Sequence, residues 1–539
     1  MRLKILLSVL IAGMLSSCFD DNSNKKINPV NPIFIDFVDV PNNISVYSMD
    51  TLRLNPIVYK AGTDDAKLSY EWVLTDKDGI PTVLGHTMQL NAEITVPASA
   101  NTYDLLLTVT DNETGLQQYK SFTVSVNAPL GRGLLIADTK DGVTSDLNLV
   151  MSSNFTIASN ETYSAKDARI YYAIFSKYNG TTIDGLVNGI DSYMSRFGDG
   201  EPNLTVSTPK SIIRMHPHKY EIDMKDKEMF AIAPEGSFVP QTLTYDANSF
   251  TEFINVSGLI YNRRATGANY FYGIALNTPQ YEEYNISKWC AQRVPNNRTK
   301  PYFYDEIQNR FLTTEGEQVE FMYIVPESTT PFDPNNIGAK DALYMGPGGN
   351  LLYTLFKAEN AETYSLYVAR PKYGYGPTYE YKPMSIYDFS ASSEIQNAVA
   401  YTSSPGESVF YWATESKIYS LNTDSKKLET CLSIADLDPE DPNARITSIQ
   451  IWGTGAEAGE YGKVRVKDPT NEKGYSEKSA QNNMMLVTLY NGSYGKVICV
   501  PIPYMGSGLL EKDRSFHKVY EGEDGNRFGR IVYLGAQYL

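Results

Sequence analysis

A chain of 539 residues with four histidines and four cysteines offers little to metals or to thiol chemistry. His216-Pro217-His218 sets two imidazoles two residues apart, which on a strand puts both on one face, a spacing that zinc and iron sites use. No third ligand is obvious from the sequence, although one could arrive from another blade, and a polar turn is the favoured reading. Residues 436–441 (DLDPED) gather carboxylates that could hold calcium. They lack the glycine and the terminal acid of an EF-hand loop, and a solvated linker is expected there. Gly346-Pro347-Gly348-Gly349 and Gly453-Thr454-Gly455 do not stand between a strand and a helix, which makes them turn glycines rather than phosphate loops. G-x-S-x-G and H-E-x-x-H are both missing. A glycosidase needs only two carboxylates, and 63 acidic residues keep that reading open, although the blades of a sialidase would carry Asp boxes that this chain lacks.

What the chain does offer is tyrosine, 40 of them against 21 Phe and 4 Trp. Residues 371–383 (PKYGYGPTYEYKP) place Tyr373, Tyr375, Tyr379 and Tyr381 among glycines and prolines that interrupt both helix and strand. A tyrosine combines a large contact area and a hydroxyl with a small entropic cost of ordering, which suits sugars, peptide backbone and protein surfaces alike. These four are therefore the candidate ligand- or partner-binding residues, with packing inside a strand as the alternative. The groups at 270–272, 281–284 and 302–304 read mostly as packing residues.

Location constrains the chemistry. Arg2 and Lys4 precede an apolar run over residues 5–15, short of the ~18 to 20 residues that span a bilayer, and this is the pattern of a secretory signal peptide. It ends in Leu15-Ser16-Ser17-Cys18, which resembles the lipobox of bacterial lipoproteins. That resemblance implies loss of residues 1–17 and a lipid on Cys18; an ordinary buried cysteine is the alternative. Residues 19–24 (FDDNSN) resemble the acidic signal with which Bacteroidetes send lipoproteins to the cell surface, and residues 18–33 read as a flexible tether. Removing Arg2 and Lys4 takes the net charge from -16 to -18, a field that repels phosphate backbones and disfavours nucleic acid as partner. Cys290, Cys431 and Cys499 are far apart and in no C-x-x-C spacing, so buried free thiols are expected, with no metal and no cofactor.

The elements that must position these residues read as strands. Short β-branched and aromatic runs bounded by Gly, Asn, Asp and Pro predict an all-β chain of two or more domains. Within residues 34–128, strand-like runs at 44–47, 52–54, 68–74, 103–111 and 119–126 predict a sandwich with Trp72 as its core plug. From residue 129 to 539 the rhythm changes. Residues 350–355 with 364–368, 408–413 with 417–421, and 484–489 with 495–500 read as repeated hairpins, and 133–137 with 146–150 as an earlier copy. Repeats of this length predict a β-propeller of about seven blades, closed by the strand-like residues 525–533 beside the first blade. Residues 455–482 are expected to be a polar loop insertion, and 165–178 a helix.

Residues 70–79 (YEWVLTDKDG) and 102–115 (TYDLLLTVTDNETG) resemble PKD domains, whose pattern runs Y-x-W-x-F-G-D-G and then Y-x-V-x-L-T-V-T-D-x-x-G. The second half matches; the first departs after the tryptophan, at Val73-Leu74 and a displaced Asp78-Gly79. Together with the lipobox, GRGLLIAD at 131–138, SVFYWATESKIYSL at 408–421 and FGRIVY at 528–533, the chain resembles the PKD-like lipoproteins of Bacteroidetes. The resemblance implies an Ig-like spacer and an accessory role beside a SusC/SusD-like, TonB-dependent importer in the outer membrane, with oligopeptide or oligosaccharide as ligand. It brings no catalytic residues. The expectation is a non-enzymatic capture or assembly subunit, with a surface glycan- or peptide-degrading enzyme and an adhesin as the rival classes.

Overall fold

The computed structural model describes residues 31–537 except 39, 49, 64–66, 98, 100, 128–129, 157–167, 195–201, 247–250, 265–270, 291–300, 315–320, 324, 327–329, 372–379, 405, 454–461 and 524. The chain is all-β and divides between Asn127 and Ala128 into two compact units.

In the first unit, Tyr103–Asp111 alternates buried and exposed residues along its length, the pattern of a strand with one face on a core. It is central in a five-stranded sheet ordered Asn43–Tyr47, Gln117–Asn127, Tyr103–Asp111, Leu68–Thr75, Pro81–Gly85, in which only the first pair is parallel. The pairs Ile33–Asp36 with Ile57–Lys60, and Thr51–Leu54 with Leu90–Glu93, supply further strands. Trp72 is fully buried among Leu74, Leu105, Leu107 and Val124, and its indole N–H donates to the Thr87 carbonyl at 3.0 Å, so its one polar atom is satisfied. Asp111 ends the central strand. It accepts from Lys60 Nζ at 2.6 Å and from the Glu113 backbone and the Thr114 hydroxyl, which together hold its carboxyl down at about 2.

The second unit contains, among the described residues, seven sheets of three or more strands. Six follow one another along the chain, their antiparallel runs starting with Gly189–Met194, Pro240–Asp246, Ile286–Cys290, Lys340–Gly348, Ala400–Ser403 and Arg445–Ile451, with Val325–Pro326 added in parallel to the edge of the fourth. The remaining sheet joins the two ends of the unit: Gly133–Thr139 pairs on one side with Thr144–Met151 and on the other with Arg530–Gln537. The three repeated hairpins lie in register, with Leu352 opposite Ala369, Phe410 opposite Leu421 and Leu486 opposite Cys499. The first strand of each sheet lies against the first strand of the next, and Arg530–Gln537 lies against both Gly189–Met194 and Met484–Tyr490. Neighbouring sheets share apolar cores. Tyr353, Leu366, Phe410 and Trp412 fill the space between two of them, Val409, Ile418, Ile449 and Val487 the space between the next two, and Leu134, Ile136, Leu486 and Val497 the one after.

Two expectations are corrected. Residues 455–482 are not only a loop: Lys463–Lys467 pairs with Tyr475–Ser479, and Val464 and Val466 are buried against Phe155 and Trp452. Residues 165–178 are not one helix. Arg169–Tyr171 extends the terminal sheet beside Thr144–Met151 and only Ile174–Asn179 is helical, because a free sheet edge offers this segment more hydrogen bonds and burial than an isolated helix would. Residues 165–167 lie outside the described residues.

Candidate functional site

Successive antiparallel strands reverse direction, so the connections from first to second and from third to fourth strand leave a sheet at one end, and those from second to third at the other. With the terminal sheet counted from Arg530–Gln537 and the fourth of the others from Lys340–Gly348, the second-to-third turns are short, between two and five residues in every sheet. Within the sheets the longest connections, from Met151 to Arg169, from Ile451 to Met484 and from Pro501 to Lys518, start and finish at the opposite end. Function on a rigid β scaffold concentrates in such connections.

These connections interlock. Lys463 N–H donates to the Ser153 carbonyl at 2.6 Å, and Asn154 Nδ2 donates to the Lys463 carbonyl at 2.8 Å. Gly462 lies so close to the Asn154 backbone that a Cβ there would sit 2.0 Å from its carbonyl carbon, so only glycine fits. Residues 502–511 (IPYMGSGLLE) are clamped from several sides. Glu407 accepts from the Gly506 N–H at 2.8 Å, Asn422 Nδ2 donates to the Gly506 carbonyl at 2.8 Å, and Lys478 Nζ donates to the Pro503 carbonyl at 3.0 Å. The Cys431 thiol donates to the Gly508 carbonyl at 3.1 Å. Glu407 is itself buried and also accepts from the Tyr411 hydroxyl at 2.7 Å; burial pushes its pKa up against those hydrogen bonds. The clamped loop nevertheless leaves Tyr504 64% exposed, with Met505 and Leu509 exposed beside it. Large apolar groups held in water by a satisfied polar frame are the mark of a contact surface.

Of the four candidate tyrosines, Tyr381 alone lies among the described residues. Tyr381 is 2% exposed, within Glu380–Asp388, with its ring 5.6 Å from Tyr302 and 5.4 Å from Phe311. It is a core residue, not a binding residue, because the strand resumes at Glu380 and the pleat turns Tyr381 inward. Tyr373, Tyr375 and Tyr379 lie outside the described residues, as does Cys18. Nothing in the spacing of residues 371–383 marked which tyrosine lay past the strand boundary. Residues 503–509 (PYMGSGL) carry the same signal, an aromatic residue between proline and glycines, and reading for that signal throughout the chain would have found them.

The other candidates resolve into structure. His216 Nδ1 accepts from the His218 backbone N–H at 3.2 Å, fixing a turn, and among the described residues no three His, Cys, Asp or Glu side chains group as metal ligands. Residues 436–441 are not a solvated linker: Asp436 caps the Ile434–Leu437 turn, Asp438 takes Lys496 Nζ at 2.7 Å and Asp441 takes Asn491 Nδ2 at 2.7 Å. Cys290, Cys431 and Cys499 are free and buried, and burial pushes the first two thiols up to about 11 and about 12, far from nucleophilic thiolates. Tyr284, Tyr302 and Tyr304 are buried packing residues, whereas Tyr281 is 74% exposed.

Comparison with known proteins bears on the first unit. Residues 18–185 match the PKD-like family. The PKD-like domain is thus an all-β, Ig-like unit in this chain, and the match runs past it into the first strands of the second unit. No curated protein matches. Among solved structures, Kluyveromyces lactis Hsv2 with complete loop 6CD aligns with 66% of this chain and 99% of its own at 8% identity and a TM-score of 0.24.

Proposed function

We propose that the second unit is a seven-bladed β-propeller carried on the PKD-like domain, and that its long-connection end binds a ligand or a protein partner without catalysis. The blade reading is supported by the succession of first strands, each against the next, and by the pairing of Arg530–Gln537 with Gly133–Thr139, which would close a ring and abolish its free edges. The observation that carries the binding reading is the exposed Tyr504–Met505–Leu509 surface on a loop fixed by Glu407, Asn422 and Lys478. A loop already ordered before contact loses little entropy on binding. In the cell we place the protein at the outer membrane, anchored by a lipid on Cys18 and facing outward. There it acts as an accessory capture or assembly subunit of a SusC/SusD-like importer of oligopeptides or oligosaccharides.

The test is affinity capture from outer-membrane extract with full-length wild type and a Tyr504→Ser/Met505→Ser variant as baits. The wild type is expected to retain importer components or a bound oligomer, and the variant, folded to the same melting temperature, to lose them. Equal recovery by both baits would remove this surface from the function.

A further inference from the structure

In the PKD-like domain, the pair Ile33–Asp36 with Ile57–Lys60 buries one face only. Ile33, Ile35 and Val58 pack on the core around Trp72, and Lys60 reaches Asp111. Period-two alternation turns Phe34, Asp36, Ile57 and Tyr59 away from that core. The register sets Phe34 opposite Tyr59 and Asp36 opposite Ile57, and the Phe34 and Tyr59 rings stack with centroids 5.0 Å apart. Phe34, Ile57 and Tyr59 are each between 42% and 52% exposed, and Val38, just past the first strand, is exposed as well. Two stacked rings beside a branched aliphatic side chain form a patch in water, which marks a contact surface rather than scattered exposure. Tyr119 supplies the contrast. It is 52% exposed, but it faces Thr108 across another sheet and its hydroxyl donates to Gln117 Oε1.

We propose that this patch rests on the lipid surface in which the chain is anchored, so that the PKD-like domain lies against the membrane instead of standing clear of it. The inference rests on the reading of Cys18 as the lipid-bearing residue. Distance along the chain selects lipid as the occupant. Ile33 follows Cys18 by 15 residues, and no conformation of such a segment spans more than ~54 Å. A lipid on Cys18 therefore keeps the patch close to the bilayer and makes the contact intramolecular, where a small apolar area suffices. The side-chain types suit that surface, since aromatic and aliphatic groups lodge where headgroups meet acyl chains. The one formal charge that the pair turns outward is that of Asp36, which draws nothing to a membrane, so the contact is apolar and indifferent to salt.

The test uses the mature lipidated chain, reconstituted alone into phosphatidylcholine vesicles, with a nitrobenzoxadiazole fluorophore on Tyr59→Cys or, as control, on Tyr119→Cys. Cys290, Cys431 and Cys499 are buried, so the introduced thiol takes the label. The fluorophore at 59 is expected to shift to the blue. It should also lose about half or more of its emission to a nitroxide lipid labelled near the top of the acyl chain, the depth of ~5 to 10 Å at which interfacial apolar groups rest. The fluorophore at 119 is expected to do neither, and ~0.5 M salt to change nothing. With the fluorophore on Ile57→Cys instead, Phe34→Ser/Tyr59→Ser is expected to abolish the blue shift while the protein still floats with its vesicles. Equal effects at 59 and 119 overturn the proposal, as does a shift at 59 that vanishes when the chains are diluted on the vesicles, the mark of a second copy as occupant. A chain that floats while position 59 stays in water sinks this inference alone. One that carries no lipid on Cys18 overturns the anchor and the inference together.

Discussion

Two tyrosines carry opposite meanings in this chain. Tyr381 is enclosed by Tyr302, Phe311 and Phe332, so Tyr381→Ser removes a buried aromatic and is expected to cost ~3 to 5 kcal/mol in the second unit. Tyr504 is mostly in water, and Tyr504→Ser is expected to change stability by ~0.5 kcal/mol or less. Thermal melting of the two variants reads the difference directly; equal melting temperatures would contradict the burial of Tyr381. In the PKD-like domain, Asp111 is held down to about 2 by Lys60 and its hydrogen bonds, below the ~3.9 of an unfolded aspartate. Its contribution is therefore complete above pH ~4 and is lost as the pH falls through about 2. Asp111→Asn is expected to flatten the acid dependence of that domain's melting between those limits, and an unchanged acid slope would contradict the assignment. Residue types alone made Trp72 legible as core, because period-two alternation puts it on the apolar face. They could not mark Tyr381 as core, since proline and glycine announce a turn but not the residue at which the strand resumes.

At the scale of elements, the apolar hairpins were legible and the polar ones were not. Residues 484–489 and 495–500 are apolar along most of their length because sheets cover both faces, and such runs read as strands without ambiguity. Lys463–Lys467 has only two apolar residues in a charged run, and the burial that makes it a strand comes from Phe155 and Trp452, distant in sequence. The loop 502–511 depends on its clamp in the same non-local way. Glu407→Ala strands the Tyr411 hydroxyl and the Gly506 N–H, and is expected to cost ~1 to 3 kcal/mol while speeding amide exchange across 502–511. Partner capture should weaken although Tyr504 is untouched. Exchange in the loop at the wild-type rate would show that the clamp does not order it.

For the whole molecule, the two units answer to different rules. The PKD-like domain has its own core and was legible from Trp72 and the run 103–111. In the second unit the number of sheets was legible only as a rough division of length, because the strand that completes the terminal sheet comes from the far end of the chain. That strand gives a further expectation: deleting residues 530–539 should remove the cooperative melting transition of the second unit and leave that of the first, since Gly133–Thr139 loses its partner and Gly189–Met194 its neighbour. A truncated chain with both transitions would count against closure. The central claim is that the long-connection end of this unit is a binding face, and crosslinking in the living cell tests it most directly. A photoreactive phenylalanine placed at Tyr504, or at the exposed Tyr281 as control, is irradiated in cells that express the full-length chain. The account predicts a discrete covalent adduct from position 504 and none from position 281; adducts from 281 alone, or from neither, would contradict it.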